Sequence, residues 1–234
     1  MKGLILLTLL LGTTIDIVAQ NEGFFEGIIT YEYQIKNPNS QLISDEEFYR
    51  ELPNRGKSTY KMYIKGNQYR IDYSNRTEVY QPSSRRVMIY PNDKVEDSFH
   101  FVPSDIVDDK IEKIEKTSQT ETILSHACQS ILTKNKWDSK VFYYNATALK
   151  ANPAVWKSHL KDDLGPFIAM SSSFPLKIEG KSPFGNYTIK AIKIEKKALT
   201  NEVFTQVKGK TFIDEETPAP TENNTPTETE GITK

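Results

Sequence analysis

Alternation with a period of two runs through most of this chain, and it constrains the fold more than any motif does. In "FFEGIITYEYQIK" the set Phe25, Gly27, Ile29, Tyr31, Tyr33 and Ile35 falls on one side, and Glu26, Ile28, Thr30, Glu32, Gln34 and Lys36 on the other. Side chains alternate across a strand, so this stretch reads as a strand with one apolar and one mostly polar face, suited to an antiparallel sheet wet on one side. "STYKMYIKGNQYRIDYSN" repeats the pattern on both sides of a Lys-Gly-Asn turn, which predicts a hairpin with Tyr60, Met62 and Ile64 facing as Tyr69, Ile71 and Tyr73 do. "RTEVYQ", "RRVMIYP" and "KVEDSFHFV" follow as a meander, and "KIEKIEKTSQTETI" has an equivocal period that suits a charged helix or a long exposed strand, the strand being favoured after Ile111. "NYTIKAIKIEKK" changes phase once, between Ala191 and Ile192, which predicts a bulge. "EVFTQV" is expected to close the sheet.

Helical signals are few. A short helix is expected near Asp45 to Leu52, with Ser44 as its cap. A longer one is expected in "NPAVWKSHLKDD", where Asn152 can cap, Pro153 takes the first helical position, and Val155, Trp156, Leu160 and Leu164 recur near helical spacing. The expected fold is mainly β: a strongly curved antiparallel sheet, a half-open barrel of about 9–11 strands, packed on one or two helices.

The two ends read differently from this body. Met1-Lys2, the uncharged run from Gly3 to Ile15 and "IDIVAQ" form the pattern of a secretory signal peptide, with Ala19 before the cleavage point. The run falls short of the roughly 20 residues a membrane-spanning helix needs. An exported, periplasmic or extracellular soluble protein with no transmembrane segment is therefore expected. "DEETPAPTENNTPTETEGITK" has almost no large apolar side chain and cannot offset the entropy of ordering. The expected organisation is a signal peptide over 1–19, a single domain over 20–213 and a disordered acidic, Thr/Pro-rich tail over 214–234. The chain's net charge is −1 and the tail is acidic, so the body is only mildly positive, which is no nucleic-acid footprint.

Chemistry-bearing motifs are sparse. The single cysteine, Cys128, lies two residues after His126 in "TETILSHACQSILTK". In a strand the two point the same way, but nothing beside them suggests a lowered thiol pKa, and a buried structural cysteine is expected. The chain should turn at Leu124-Ser125, with Cys128 and Ser130 on one face and Ala127, Gln129 and Ile131 on the other. Only three histidines, His100, His126 and His159, are present, without metal-ligand spacing, so no metal and no cofactor are expected. The carboxylate pairs Asp45/Glu46/Glu47, Asp108/Asp109, Asp162/Asp163 and Glu215/Glu216 lie in charged stretches beside turns and read as solvated loops. A hydrolase would have to draw on them, Asp162 and Asp163 first. There is no nucleophile elbow and no phosphate-binding Gly-rich loop, and the chain is expected not to be an enzyme.

Aromatics on the strand runs are the richer signal. Tyr31, Tyr33, Tyr60, Tyr69, Phe99, Phe101, Trp137, Tyr143 and, on the helix, Trp156 are the candidate ligand-binding residues: on one face of a curled sheet they could line a cavity, or pack as core beneath a helix. The expected function is binding of an apolar ligand (an acyl chain, lipid or lipoprotein anchor) on the concave face. The alternative is an envelope interaction or structural protein with a filled core and a protein partner.

The order of an exported leader, "FEGIITYEYQI", "MYIKGNQYRIDY", "ILSHACQSI", "FYYNA", a Pro-started helix and "FPLKIEG" resembles an uncharacterised exported domain family of Gram-negative bacteria. That family is similar to the lipoprotein-carrier (LolA/LolB-like) superfamily, which implies a half-open barrel wrapped around helices over about residues 24–208. Ser125 and Ser173 stand where that family carries glycine.

Overall fold

The computed structural model describes residues 23–36, 57–92, 98–106, 110–183, 185–205 and 211–212. The leader, the helix expected near Asp45 to Leu52 and the acidic tail lie outside these residues.

Twelve strands form one open sheet in the order β12-β6-β5-β4-β3-β2-β1-β11-β10-β9-β8-β7. They are β1 (Gly27–Lys36), β2 (Lys57–Lys65), β3 (Gln68–Asp72), β4 (Arg76–Gln81), β5 (Arg86–Pro91), β6 (Ser98–Pro103), β7 (Lys113–Ile123), β8 (His126–Lys134), β9 (Ser139–Tyr144), β10 (Lys177–Ser182), β11 (Gly185–Lys196) and β12 (Thr211–Phe212). The first eleven pair antiparallel, and two-residue β12 adds in parallel to β6. The sheet is mainly β's answer to a long alternating sequence, curved but not closed into a barrel, because β7 and β12 end it at opposite edges.

Register follows the alternation. Tyr31 opposes Tyr60 on β2 and Ala191 on β11, and the pairing slips between Thr30 and Tyr31 to accommodate the extra residue Ile192. This is the bulge that the phase change in β11 demands, and bulges add the bend that curls a wide sheet.

Two short helices sit in the concave face, α1 (Pro153–Trp156) and α2 (Leu164–Ser171). Asn152 caps α1 by accepting from the Ala154 N–H, with Pro153 in the first turn. The single helix expected through Leu164 is broken. Asp162 and Asp163 both take left-handed backbone, φ 58° and 64°, so the chain turns through a tight 3-10 segment, Lys161–Asp163, before α2 begins. Gly165 lets the two helices meet: a Cβ there would lie 2.5 Å from the carbonyl oxygens of Trp156 and His159.

The helices fill the middle of the bowl. Trp156 is wholly buried, stacked near Tyr69 and edge-on to Phe174, while Phe167 stacks on Phe142 with centroids 4.6 Å apart. Such rings each remove 150–250 Å² from water, so this cluster dominates the fold's stability. On the outer face, Leu199 and Phe204 cover Ile28. Of "EVFTQV", the residues Glu202 to Phe204 do not extend the sheet as expected: Asn201–Phe204 is a 3-10 turn lying against β3 and β4, and among the described residues the sheet ends at β12.

Candidate functional site

Strand parity sorts the candidate aromatics into three groups. Tyr31, Tyr33, Tyr60 and Tyr69 project from β1, β2 and β3 into the concave face, where Trp156 on α1 stacks against Tyr69. Phe99 and Phe101 face the other way, packed with Val79, Met88 and Tyr90 on the outer surface. Tyr143 is also on the outer face, in the row Ser130, Tyr143, Lys177, Lys190, with its hydroxyl 3.0 Å from Gln119 Oε1 and 3.2 Å from Glu179 Oε2. Trp137 sits in the β8–β9 turn, 57% exposed, with the Lys136 ammonium over its ring. A one-residue change of parity moves a side chain to the opposite face, and the outer face carries its own aromatic cluster of Tyr90, Phe99 and Phe101.

Within the concave group, burial separates wall from opening. Tyr31 is buried, its hydroxyl donating to the Pro175 carbonyl at 2.7 Å, and Tyr69 is buried between Tyr80, Trp156 and His159. Tyr33 and Tyr60 are only half-buried. They continue into Tyr73 (4.9 Å from Tyr60, centroid to centroid) and Tyr187 (6.1 Å from Tyr33). Burial raises the phenols of Tyr60, Tyr73 and Tyr187 well above their ordinary pKa, so all three are neutral hydroxyls near neutral pH.

Charged groups from the helix connection complete this end of the bowl. Lys161 Nζ lies 2.8 Å from Asp162 and 3.4 Å from Glu78 on β4. Lys140 Nζ on β9 lies 3.1 Å from Asp163 and 3.3 Å from Asp138. Asp163 is buried and accepts from Thr133 Oγ1 at 2.9 Å, so it is no solvated loop residue. Asp162 remains open, its side chain 72% exposed. Lys161 holds its carboxyl well below the usual carboxylate range, with Lys140 adding to the effect. Burial disfavours charge on Lys161, but Asp162 and Glu78 more than offset that and hold the ammonium charged. Sequence spacing could not assemble this group, because its members come from β4, the β8–β9 turn, β9 and the helix connection.

Cys128 is buried in β8, its thiol pKa raised by burial, with Sγ donating to the His126 carbonyl at 3.3 Å. It shares a face with Ser130, opposite Ile131, as the alternation requires. His126 itself is half-buried and His159 lies elsewhere, in the core against Tyr69.

No family model and no curated protein matches the chain. Among solved structures, 22 chains match. They include two crystal forms of PNGF-II, 13% and 15% identical, each with a TM-score of 0.46. The matches cover 81% and 80% of this chain but only 31% and 30% of those, so the chain spans about a third of their length.

Proposed function

We propose that this chain is an exported, non-enzymatic binding protein that takes a ligand with an apolar body at the end of the concave face that, among the described residues, α1 and α2 leave uncovered. The observation that carries the reading is the half-buried row Tyr33, Tyr60, Tyr73 and Tyr187 beside the accessible Asp162. The middle of the bowl is packed with the chain's own rings, so an acyl chain threaded through the centre is replaced here by a ligand seated at the rim. Export would follow from the leader over residues 1–19; no helix among the described residues is long and apolar enough to cross a membrane.

The test is titration of the purified protein with an uncharged fluorescent apolar probe, N-phenyl-1-naphthylamine. One probe per chain is expected, weakened at least tenfold by the Tyr60→Ala/Tyr73→Ala pair with the circular dichroism spectrum retained. Absence of probe binding, or binding indifferent to both substitutions, overturns the reading in favour of an interaction protein with a filled core. Amino-terminal sequencing of the exported protein should begin at Gln20.

A further inference from the structure

The end of the sheet at which β8 turns into β9 gathers lysines on its outer face. Lys113 on β7 opposes Lys134 on β8, Lys134 opposes Ser139 on β9, and Ser139 opposes Lys181 on β10. Opposed residues of an antiparallel ladder point the same way, so the four form one row, at the same parity as the outer row of Ser130, Tyr143 and Lys177. All three lysines are exposed. Neighbouring strands lie about 4.8 Å apart, which sets Lys113 beside Lys134 and Lys181 about 10 Å further along. Like charges directly opposite one another destabilise a sheet. Glu115 meets Lys113 at 2.7 Å, but among the described residues no carboxylate meets Lys134 or Lys181.

Trp137 stands at the tip of the same end. The turn that carries it is pinned: Asn135 N–H donates to the Asp138 carbonyl at 2.9 Å, and Asn135 Oδ1 accepts from the N–H groups of Trp137 and Asp138 at 2.9 and 2.6 Å. The turn therefore holds the indole out, 57% exposed, with the Lys136 ammonium 4.5 Å from its ring centroid. Asp138 turns its charge to Lys140 and leaves Lys136 without a carboxylate among the described residues. Tryptophan has an apolar body and one polar N–H, the combination that favours the boundary between lipid and water. Single-stranded nucleic acid is bound in grooves where rings alternate with cations. Here the ring stands ahead of the lysines, as a flat anionic surface with an apolar layer beneath it requires.

We propose that the β8–β9 end of the sheet docks on an anionic lipid bilayer, with Trp137 seated at the headgroup boundary and Lys134, Lys136 and Lys181 on lipid phosphates. Headgroups move laterally, so they can adapt to the fixed spacing of the row. The contact is peripheral, and it does not depend on whether the bowl holds a ligand.

Co-sedimentation with vesicles of equal parts phosphatidylglycerol and phosphatidylcholine, against phosphatidylcholine alone, tests the charge. Binding to the anionic vesicles only is expected at about 0.1 M salt, and its loss at about 1 M, where the screening length falls from about 10 Å to about 3 Å. A lysine beside an anionic surface contributes about fivefold, so Lys134→Gln/Lys136→Gln should bind about 25-fold more weakly. Lys61→Gln/Lys157→Gln removes the same charge from exposed positions elsewhere and should bind nearly as the wild type does. Trp156 is wholly buried, so of the two tryptophans only Trp137 can report the contact. Its emission should shift to the blue on binding and be quenched by brominated phosphatidylcholine, and Trp137→Ser should weaken binding with the salt dependence kept. All these side chains except Trp156 are exposed, so the circular dichroism spectrum of each variant should match that of the wild type. No binding to the anionic vesicles, equal binding to neutral ones, equal weakening by the two lysine pairs, or Trp137 emission that lipid leaves unchanged overturns the inference. Binding to a single-stranded RNA oligomer and not to the vesicles overturns it in favour of a nucleic-acid surface.

Discussion

The ring of Tyr187 occupies the space that a side chain on Gly180 would fill. The two residues are cross-strand partners on β10 and β11, and a Cβ built on Gly180 would lie 2.0 Å from Tyr187 Cζ. Glycine therefore allows the ring to lie flat across β10 with its hydroxyl toward Asp138. Gly180→Ala should expel the ring, cost about 1–2 kcal/mol and weaken any ligand bound at the rim. A thermal melt checks the cost. A double-mutant cycle checks the cause: once Gly180→Ala is present, Tyr187→Ala should add little, because coupled neighbours are non-additive. Fully additive effects would show that the two do not interact in this way.

Asp163 ties the helix connection to the sheet through Thr133 and Lys140. Hydrogen bonds to a buried charged group are worth about 1.5–3 kcal/mol, so Asp163→Asn should destabilise by about that amount. Asp163→Ala should cost about 1 kcal/mol more, because alanine lacks the tolerance of Asp and Asn for a φ of 64°. Urea unfolding of the two variants separates these contributions; an alanine variant as stable as the asparagine one would remove the backbone argument.

Much of this fold could be read from alternation alone. The β2–β3 hairpin, the β11 bulge, the turn at Leu124-Ser125 and the facing of Cys128 all follow from local periodicity and turn chemistry. What periodicity cannot supply is which face of a strand becomes concave. Phe99 and Phe101 alternate as cleanly as Tyr69 and Ile71, yet they lie on opposite sides of the sheet. The break in the helix escapes periodicity for a related reason. The apolar spacing from Val155 to Leu164 is compatible with one helix, while the left-handed pair Asp162-Asp163 is fixed by tertiary contacts of Asp163 and Lys161. The same pair read as a solvated loop because its partners, Glu78, Thr133 and Lys140, are distant in sequence.

The two-residue turn between β7 and β8 places Leu124 and Ser125 in left-handed backbone, φ 48° and 66°. Asn-Gly is the pair best suited to such a turn, and Leu124 is 40% exposed, so replacing it forfeits little packing. The double substitution Leu124→Asn/Ser125→Gly should stabilise the protein by about 1 kcal/mol, the relief of left-handed strain less the added chain entropy of glycine. A lower melting temperature for this variant would mean that the turn is held by contacts the backbone angles do not convey.

His159 makes the fold sensitive to acid. It is buried between Tyr69, Tyr80 and Trp156, with Nε2 3.1 Å from the Tyr69 hydroxyl and Nδ1 without a hydrogen-bond partner among the described residues. Burial is the main reason its pKa is pushed down from 6.5 to about 4; Lys161 adds to the fall, and Asp162 opposes it. The unfolded chain therefore takes up a proton near 6.5 while the folded one resists until about 4, so stability drops as pH falls through that window and levels off below it. A difference of this size corresponds to about 3 kcal/mol lost between neutral pH and pH 4 from this residue alone. Carboxylates also titrate in acid, so the measurement is a comparison of denaturant unfolding between the wild type and His159→Phe at several pH values. The variant begins less stable at pH 7, having lost the bond to Tyr69, and the wild-type advantage should shrink by up to 1.36 kcal/mol per pH unit between about 6.5 and 4. Parallel pH curves for the two proteins would show that His159 does not carry the acid sensitivity.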